Sequence, residues 1–280
     1  MSARRIWGLM YRHLALYRRS WPRVLELMYW PVLQMLIWGF TASFLVGRSG
    51  GVIGDGHAGG VIGDGRAGGA MLAASALLGG VLLWEVALRS QMGVAISFLE
   101  ELWSRNLGHL FVSPIRPWEM VAALLGISML RMFTGVLPAI LVAYLLYAFN
   151  LFALGPVVVL LFANLMVMGW WVALGVVSLI LRHGAGAEAL AWSVLFGLTP
   201  FSAVFYPVSV LPAFIRPIAH ALPSSHVFEG MRAALAGEVR WDELAWAAGL
   251  NAVWLGVFTL VFALQFRQAR YRGALLNIGE

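Results

Sequence analysis

The chain has 280 residues, 61% of them hydrophobic and 11% charged, against about 25% charged in a soluble domain. That balance excludes a soluble globular fold and leaves length for about six membrane spans. Its net charge of +6 comes from nineteen basic residues that are all arginine, and it contains no cysteine. A standard P-loop, a Schiff-base cofactor, disulfides, thiolate metal sites and palmitoyl anchors are therefore all excluded.

Within the N-terminal region 1–27, Met1 to Ser20 lacks the continuous apolar core and small-residue cleavage site of a cleavable signal. On a helix, Ile6, Met10, Leu14 and Tyr17 share one face, while Arg5, Arg12 and Arg19 recur every seven residues on another. This pattern predicts an amphipathic helix lying in the membrane interface, arginines at the headgroups and aromatics inward. A single membrane domain over 28–280 follows, with six apolar segments at 28–46, 70–88, 120–149, 157–181, 187–206 and 244–266. Each is close to the length needed to cross about 30 Å of hydrocarbon, and the third is long enough to tilt. The fold class expected is an all-α membrane protein with six transmembrane helices.

Between the first two segments, in the 47–69 loop, GGVIGDGHAGGVIGDGRAGGA repeats nine residues almost letter for letter. Each copy resembles a dinucleotide fingerprint, but a membrane segment follows where that motif needs an amphipathic helix of a βαβ unit. A calcium-binding roll would need glycine where Ile53 and Ile62 stand. The repeat reads as a duplicated flexible spacer. Glu85 lies inside the second segment, where a charge is costly enough to mark function. Two partners are open to it: Arg89, one helical turn on, and Arg131, inside the third segment.

The connection 89–118 reads RSQMGVAISFLEELWSRNLGHLFVSPIRPW after Leu88. It predicts a helical extension of the second span ending near Glu100, Glu101 and Trp103, a short helix over 105–111, and an S-P-x-x-P turn back into the bilayer. Charges mixed with Leu102, Trp103, Leu107, Leu110 and Phe111 suit a docking surface for a partner protein; burial against the chain itself is the alternative. Glu188 opens the fifth segment as an acid near a helix N-terminus.

Residues 207–240 carry Pro207, Pro212, Pro217 and Pro223, which cut the stretch into short amphipathic pieces. The expectation is two external half-membrane helices, one begun by Pro212 and one capped by Ser224 or Ser225. His220 and His226 flank L-P-S-S, yet no carboxylate stands at metal-ligand spacing and no G-x-S-x-G elbow is present. Neither a metal site nor a catalytic residue is expected. With the N-terminus inside, thirteen arginines fall on cytoplasmic segments and five on external ones, counting Arg131 with neither. By the positive-inside rule both termini are cytoplasmic.

Three features together resemble the permease subunit of type-2 ABC exporters, the family of nodulation lipo-oligosaccharide, drug and surface-polysaccharide exporters. A basic helix leads directly into the first span. The stretch E-E-x-x-x-R-N-L-x-x-L-x-x-S-P from Glu100 is similar to the family's E-R-x-x-G-T-x-x-x-L-x-x-S-P region. The stretch F-Y-P-V-S-V-L-P, then L-P-S-S-H-V-F-E-G-M-R ending at Arg232, is similar to the family's F-P-x-x-x-L-P … L-P-x-x-x-x-x-x-x-x-R pattern. The resemblance implies a homodimer of permeases in the bacterial inner membrane, joined to two cytoplasmic ATPase subunits that carry the ATP and magnesium. It further implies an ATPase-coupling region formed by Glu100, Glu101, Trp103, Arg105, Asn106, Leu107 and Leu110. Arg105 departs from the family's acid-arginine pair. The substrate class implied is an amphipathic or lipid-linked molecule. The alternative is a secondary transporter, or another polytopic membrane protein without an ATPase partner. Duplicated halves would mark the former, and the sequence does not show them clearly.

Overall fold

The structure, a computed structural model, describes residues 3–19, 21–48, 66–104, 117–187 and 189–271. Its described residues form α1 (Ala3–Arg19), α2 (Trp21–Arg48), α3 (Arg66–Trp103), α4 (Pro117–Tyr147), α5 (Val157–His183), α6 (Ala189–Leu198), α7 (Arg216–His220), α8 (Pro223–Leu235) and α9 (Trp241–Tyr271). Short 3₁₀ turns at Leu151–Leu154, Gly184–Ala187, Thr199–Phe201 and Val208–Val210 join them. Residues 50–65 of the glycine repeat lie outside the described residues.

Five helices among the described residues are long and apolar enough to cross a membrane: Trp21–Arg48, Gly68–Trp103, Trp118–Tyr147, Val157–His183 and Trp241–Ala269. They correspond to five of the six apolar segments, the third ending at Tyr147 where the expectation ran to 149. The sixth, 187–206, is built differently: α6 has 10 residues, or about 15 Å of rise, before a 3₁₀ turn takes over. It nevertheless runs lengthwise along α3. Ala191 accepts a hydrogen bond from Gln91 Nε2 at 2.9 Å, and the Val204 carbonyl lies against Gly80, eleven residues back along α3.

α3 is the centre of the bundle. Its residues Leu82, Leu83, Val86 and Ala87 are fully buried, so this 38-residue helix has no lipid-facing side through its middle. α2, α4 and α5 pack round it. Small residues set how close they come. A Cβ at Gly169 would stand 2.6 Å from the Ala87 carbonyl oxygen, and one at Gly93 would stand 2.8 Å from Ser128 Cα. Such approach replaces the hydrophobic driving force that lipid removes, and it brings polar groups into reach. Ser128 Oγ donates to the Ser90 carbonyl at 2.6 Å beside the second contact.

A second polar crossing ties α5 to α9. Asn251 donates to the Asn164 carbonyl and side-chain oxygen at 2.9 and 3.0 Å, and accepts from Trp171 Nε1 at 3.0 Å. Trp171 stacks on Trp254 and Phe258 around it. The outer row of α9, Trp246, Val253, Val257, Leu260 and Leu264, is exposed at helical spacing, as a lipid-facing stripe requires.

Candidate functional site

The last turn of α3 ends in two adjacent carboxylates. Neighbouring residues on a helix point about 100° apart, so Glu100 and Glu101 address different partners. Glu100 faces α4, where Arg131 Nη2 donates to its Oε2 at 2.9 Å. Arg23 of α2 and His13 of α1 form longer ion pairs with Glu100, at 3.7 and 3.6 Å. Glu101 faces α1, pairing with Arg12 at 3.0 Å and with His13 Nε2 at 3.4 Å. His13 thus bridges the two carboxylates. Glu119, in the first turn of α4, pairs with Arg5 at 3.6 Å.

Four helices therefore meet in one cluster of charge. Its centre is dry, for the Glu101, Glu119, Arg131 and His13 side chains are each at most 4% exposed, while Arg5, Arg12 and Arg23 at its rim are half-exposed. Buried ion pairs persist only when every charge has partners, and this cluster alternates sign accordingly. Arg131 stands well inside α4 and its guanidinium lies 3.4 Å from the Gly93 carbonyl as well as on Glu100. The aromatic ring of Tyr17 packs 4.6 Å from that guanidinium carbon. Burial pushes the Tyr17 phenol up to about 12, against the lowering effect of Arg131, so the ring stays neutral over any working pH.

Trp103 and Ser104 follow, both exposed, where the chain leaves α3. The cluster thus sits at the root of the segment that sequence patterning assigned to docking. Arg105, Asn106, Leu107 and Leu110 lie outside the described residues.

A model of the ABC-2 type transporter family matches residues 4–236, from within α1 to just past α8. The chain belongs to that family. It is a multi-pass membrane permease, the transport subunit of an ABC transporter, without a catalytic domain. No curated protein matches it.

The permease's remaining candidate residues fall elsewhere. Glu85 binds Arg89 at 3.0 Å, one turn along α3, and the Glu85–Arg131 pairing is corrected because Arg131 is held by Glu100. Arg5 and Arg12, expected at the headgroups, also reach Glu119 and Glu101 while their side chains stay half-exposed. Trp7, Tyr11 and Leu14 form the exposed apolar row of α1. Glu188 lies outside the described residues.

At the far end of the bundle the proline-rich stretch folds into a cap. Arg232 Nη1 and Nη2 both donate to the Ala203 carbonyl at 3.0 Å, and Nη2 pairs with Glu229 at 3.3 Å. Glu229 accepts from the Val208 backbone N–H at 2.8 Å. Ala203 has φ of 54°, a left-handed conformation that costs a residue with a Cβ, and the arginine fork holds it. Pro207 opens the Val208–Val210 turn. Two capping expectations are corrected. Pro212 accepts turn hydrogen bonds from Ile215 and Arg216, and α7 starts only at Arg216. Leu222 is the N-cap of α8, with Pro223 at the first helical position and no side-chain cap. Ser225, once inside the helix, turns its hydroxyl back to the carbonyls of Ala219 and Leu222, at 2.6 and 2.9 Å.

Sequence reasoning missed His13 and the Asn164–Asn251–Trp171 link. His13 follows Arg12 in the arginine row, which was a signal that its neighbourhood is polar. Nothing local marks the asparagines, apart from their rarity in spanning segments.

Proposed function

We propose that the permease exports an amphipathic or lipid-linked substrate, driven by ATP hydrolysis on a separate ATPase subunit. In this reading two permease chains pair, two ATPase chains dock beneath them, and magnesium and nucleotide stay on the ATPase. The membrane is the bacterial inner membrane and both termini are cytoplasmic. The 187–206 segment counts as a sixth crossing; the support is its course along α3 from Gln91 to Gly80. An even number of crossings returns the C-terminus to the side of α1.

One observation carries the reading: the Glu100–Glu101 cluster joins the root of the docking segment to α1, α2 and α4 at once. A push on the chain after Trp103 displaces α3 by its end. Its largely buried pair with Arg131 then carries α4 along, since stranding either charge would cost about 3–5 kcal/mol, and the half-exposed arginines of α1 follow through Glu101 and Glu119. ATP-driven closure below would thereby reach helices that line the bilayer.

The test is to co-express the permease with an ATPase encoded beside it, purify the complex, and reconstitute it with candidate lipids and drugs. Stable co-purification with substrate-stimulated ATP turnover is expected. A permease that transports fully with no ATPase present would overturn the proposal.

A further inference from the structure

We infer that His226 is a proton-dependent latch fastening α7 and α8 of the cap to α9. The ring lies where three elements meet. Its Nδ1 is 2.6 Å from Glu243 Oε2 on α9, and its Nε2 is 3.0 Å from the His220 carbonyl at the end of α7. Trp246 of α9 stacks against it, with ring centroids 6.3 Å apart at 22°. The side chains of His226 and Glu243 are only 12% and 14% exposed, so water does not readily substitute for either bond.

Both ring nitrogens face acceptors. A neutral imidazole carries a single N–H, so one of its nitrogens would turn a lone pair toward an oxygen; the imidazolium form donates to both. The arrangement is therefore complete only with the extra proton. The charged groups around the ring are themselves paired. Glu243 Oε1 pairs with Arg240 at 3.0 Å, which leaves Oε2 to the histidine, and Asp242 shares the same arginine at 3.0 Å. The neutral-or-charged His220 ring stands 5.8 Å away on α7. Glu229 and Arg232, farther along α8, are engaged with each other and with the 203–208 turn.

Loss of the proton gives up one bond. With Nδ1–H kept by the carboxylate, the Nε2 contact to His220 is the one released, and α7 loses a tie to α8. Trp254 Nε1, which donates to the Ala221 carbonyl at 2.9 Å, then remains as the link from α9 to this turn. The cap is fastened while the ring holds both protons and loosened once it has given one up. This latch sits about 30 Å along the bundle from the Glu100–Glu101 cluster and does not depend on the ATPase reading.

The experiment follows thermal unfolding of the full-length permease in detergent from about pH 5.5 to about pH 8.5, for wild type, H226Q and E243Q. The readout is the difference between wild type and variant, which cancels whatever the rest of the chain contributes. Wild type is expected to lose about 2–4 °C more than H226Q across that range. E243Q, which keeps an acceptor but no charge, is expected to lose less than wild type. Superimposable pH profiles for wild type and H226Q would overturn the latch. Should H226Q show no cooperative transition, an E243Q profile identical to wild type overturns it instead.

Discussion

Replacing Arg131 by methionine keeps an unbranched apolar stem and removes the guanidinium with its charge. Three interactions go with it: the 2.9 Å ion pair to Glu100, the contact to the Gly93 carbonyl, and the packing on Tyr17. Removing one partner of a buried pair costs about 3–5 kcal/mol because the other charge is stranded. Glu100 is not wholly stranded, since its side chain is 18% exposed and Arg23 and His13 remain at 3.7 and 3.6 Å. The expected loss is therefore about 2–3 kcal/mol, including roughly 0.5–1 kcal/mol from the aromatic contact. At about 2–4 °C per kcal/mol this lowers the unfolding temperature by roughly 4–12 °C. Thermal unfolding in detergent of R131M, E100Q and the double variant reads it. The double variant should lose less than the sum of the singles by at least about 1 kcal/mol, as contacting residues do. Strict additivity, or an R131M protein melting with wild type, would refute the idea that this pair braces α3 on α4.

Other substitutions probe the rest of the bundle. N251L strips hydrogen bonds from Asn164 and Trp171 and should cost about 1–2 kcal/mol, read as earlier unfolding with α5 and α9 losing amide-exchange protection first. G169A places a methyl 2.6 Å from the Ala87 carbonyl, a backbone atom that cannot swing away. It should separate α3 from α5 and reduce the yield of monodisperse protein, whereas G249A, with nothing within 4 Å, should behave as wild type.

Apolar length was the most legible property of the sequence, because a bilayer fixes how many residues a span needs. That is why the starts and ends of α4 and α5 were anticipated closely. The run through 187–206 has the same apolar length, but its α-helix stops at Leu198, ahead of Thr199 and Pro200. Glu85 and Arg89 were readable as one option because helical spacing alone brings them together. The partners of Glu100, Glu101 and Arg131 were not, since they depend on which helices cross near the end of α3. Mixed charged and apolar residues at 100–103 signalled a surface that is neither lipid-facing nor solvated, and the side chains of Glu100 and Glu101 turn out to face α1, α2 and α4. Prolines in the cap marked the breaks correctly. Which residue caps each piece depends on backbone angles, and Leu222 takes that place with ψ of 130° where a serine was expected.

In the proposed reading, the end of α3 transmits force from a docked ATPase through its ion pairs. The most direct measurement is substrate-stimulated ATP turnover and transport by the reconstituted complex carrying R12E, E101R or both, with co-purification checked for each. Each single reversal should leave the ATPase bound but lower transport at least tenfold, and the double reversal, which puts opposite charges back in the place of the Arg12–Glu101 pair, should recover most of it. Full transport by both single variants would contradict it.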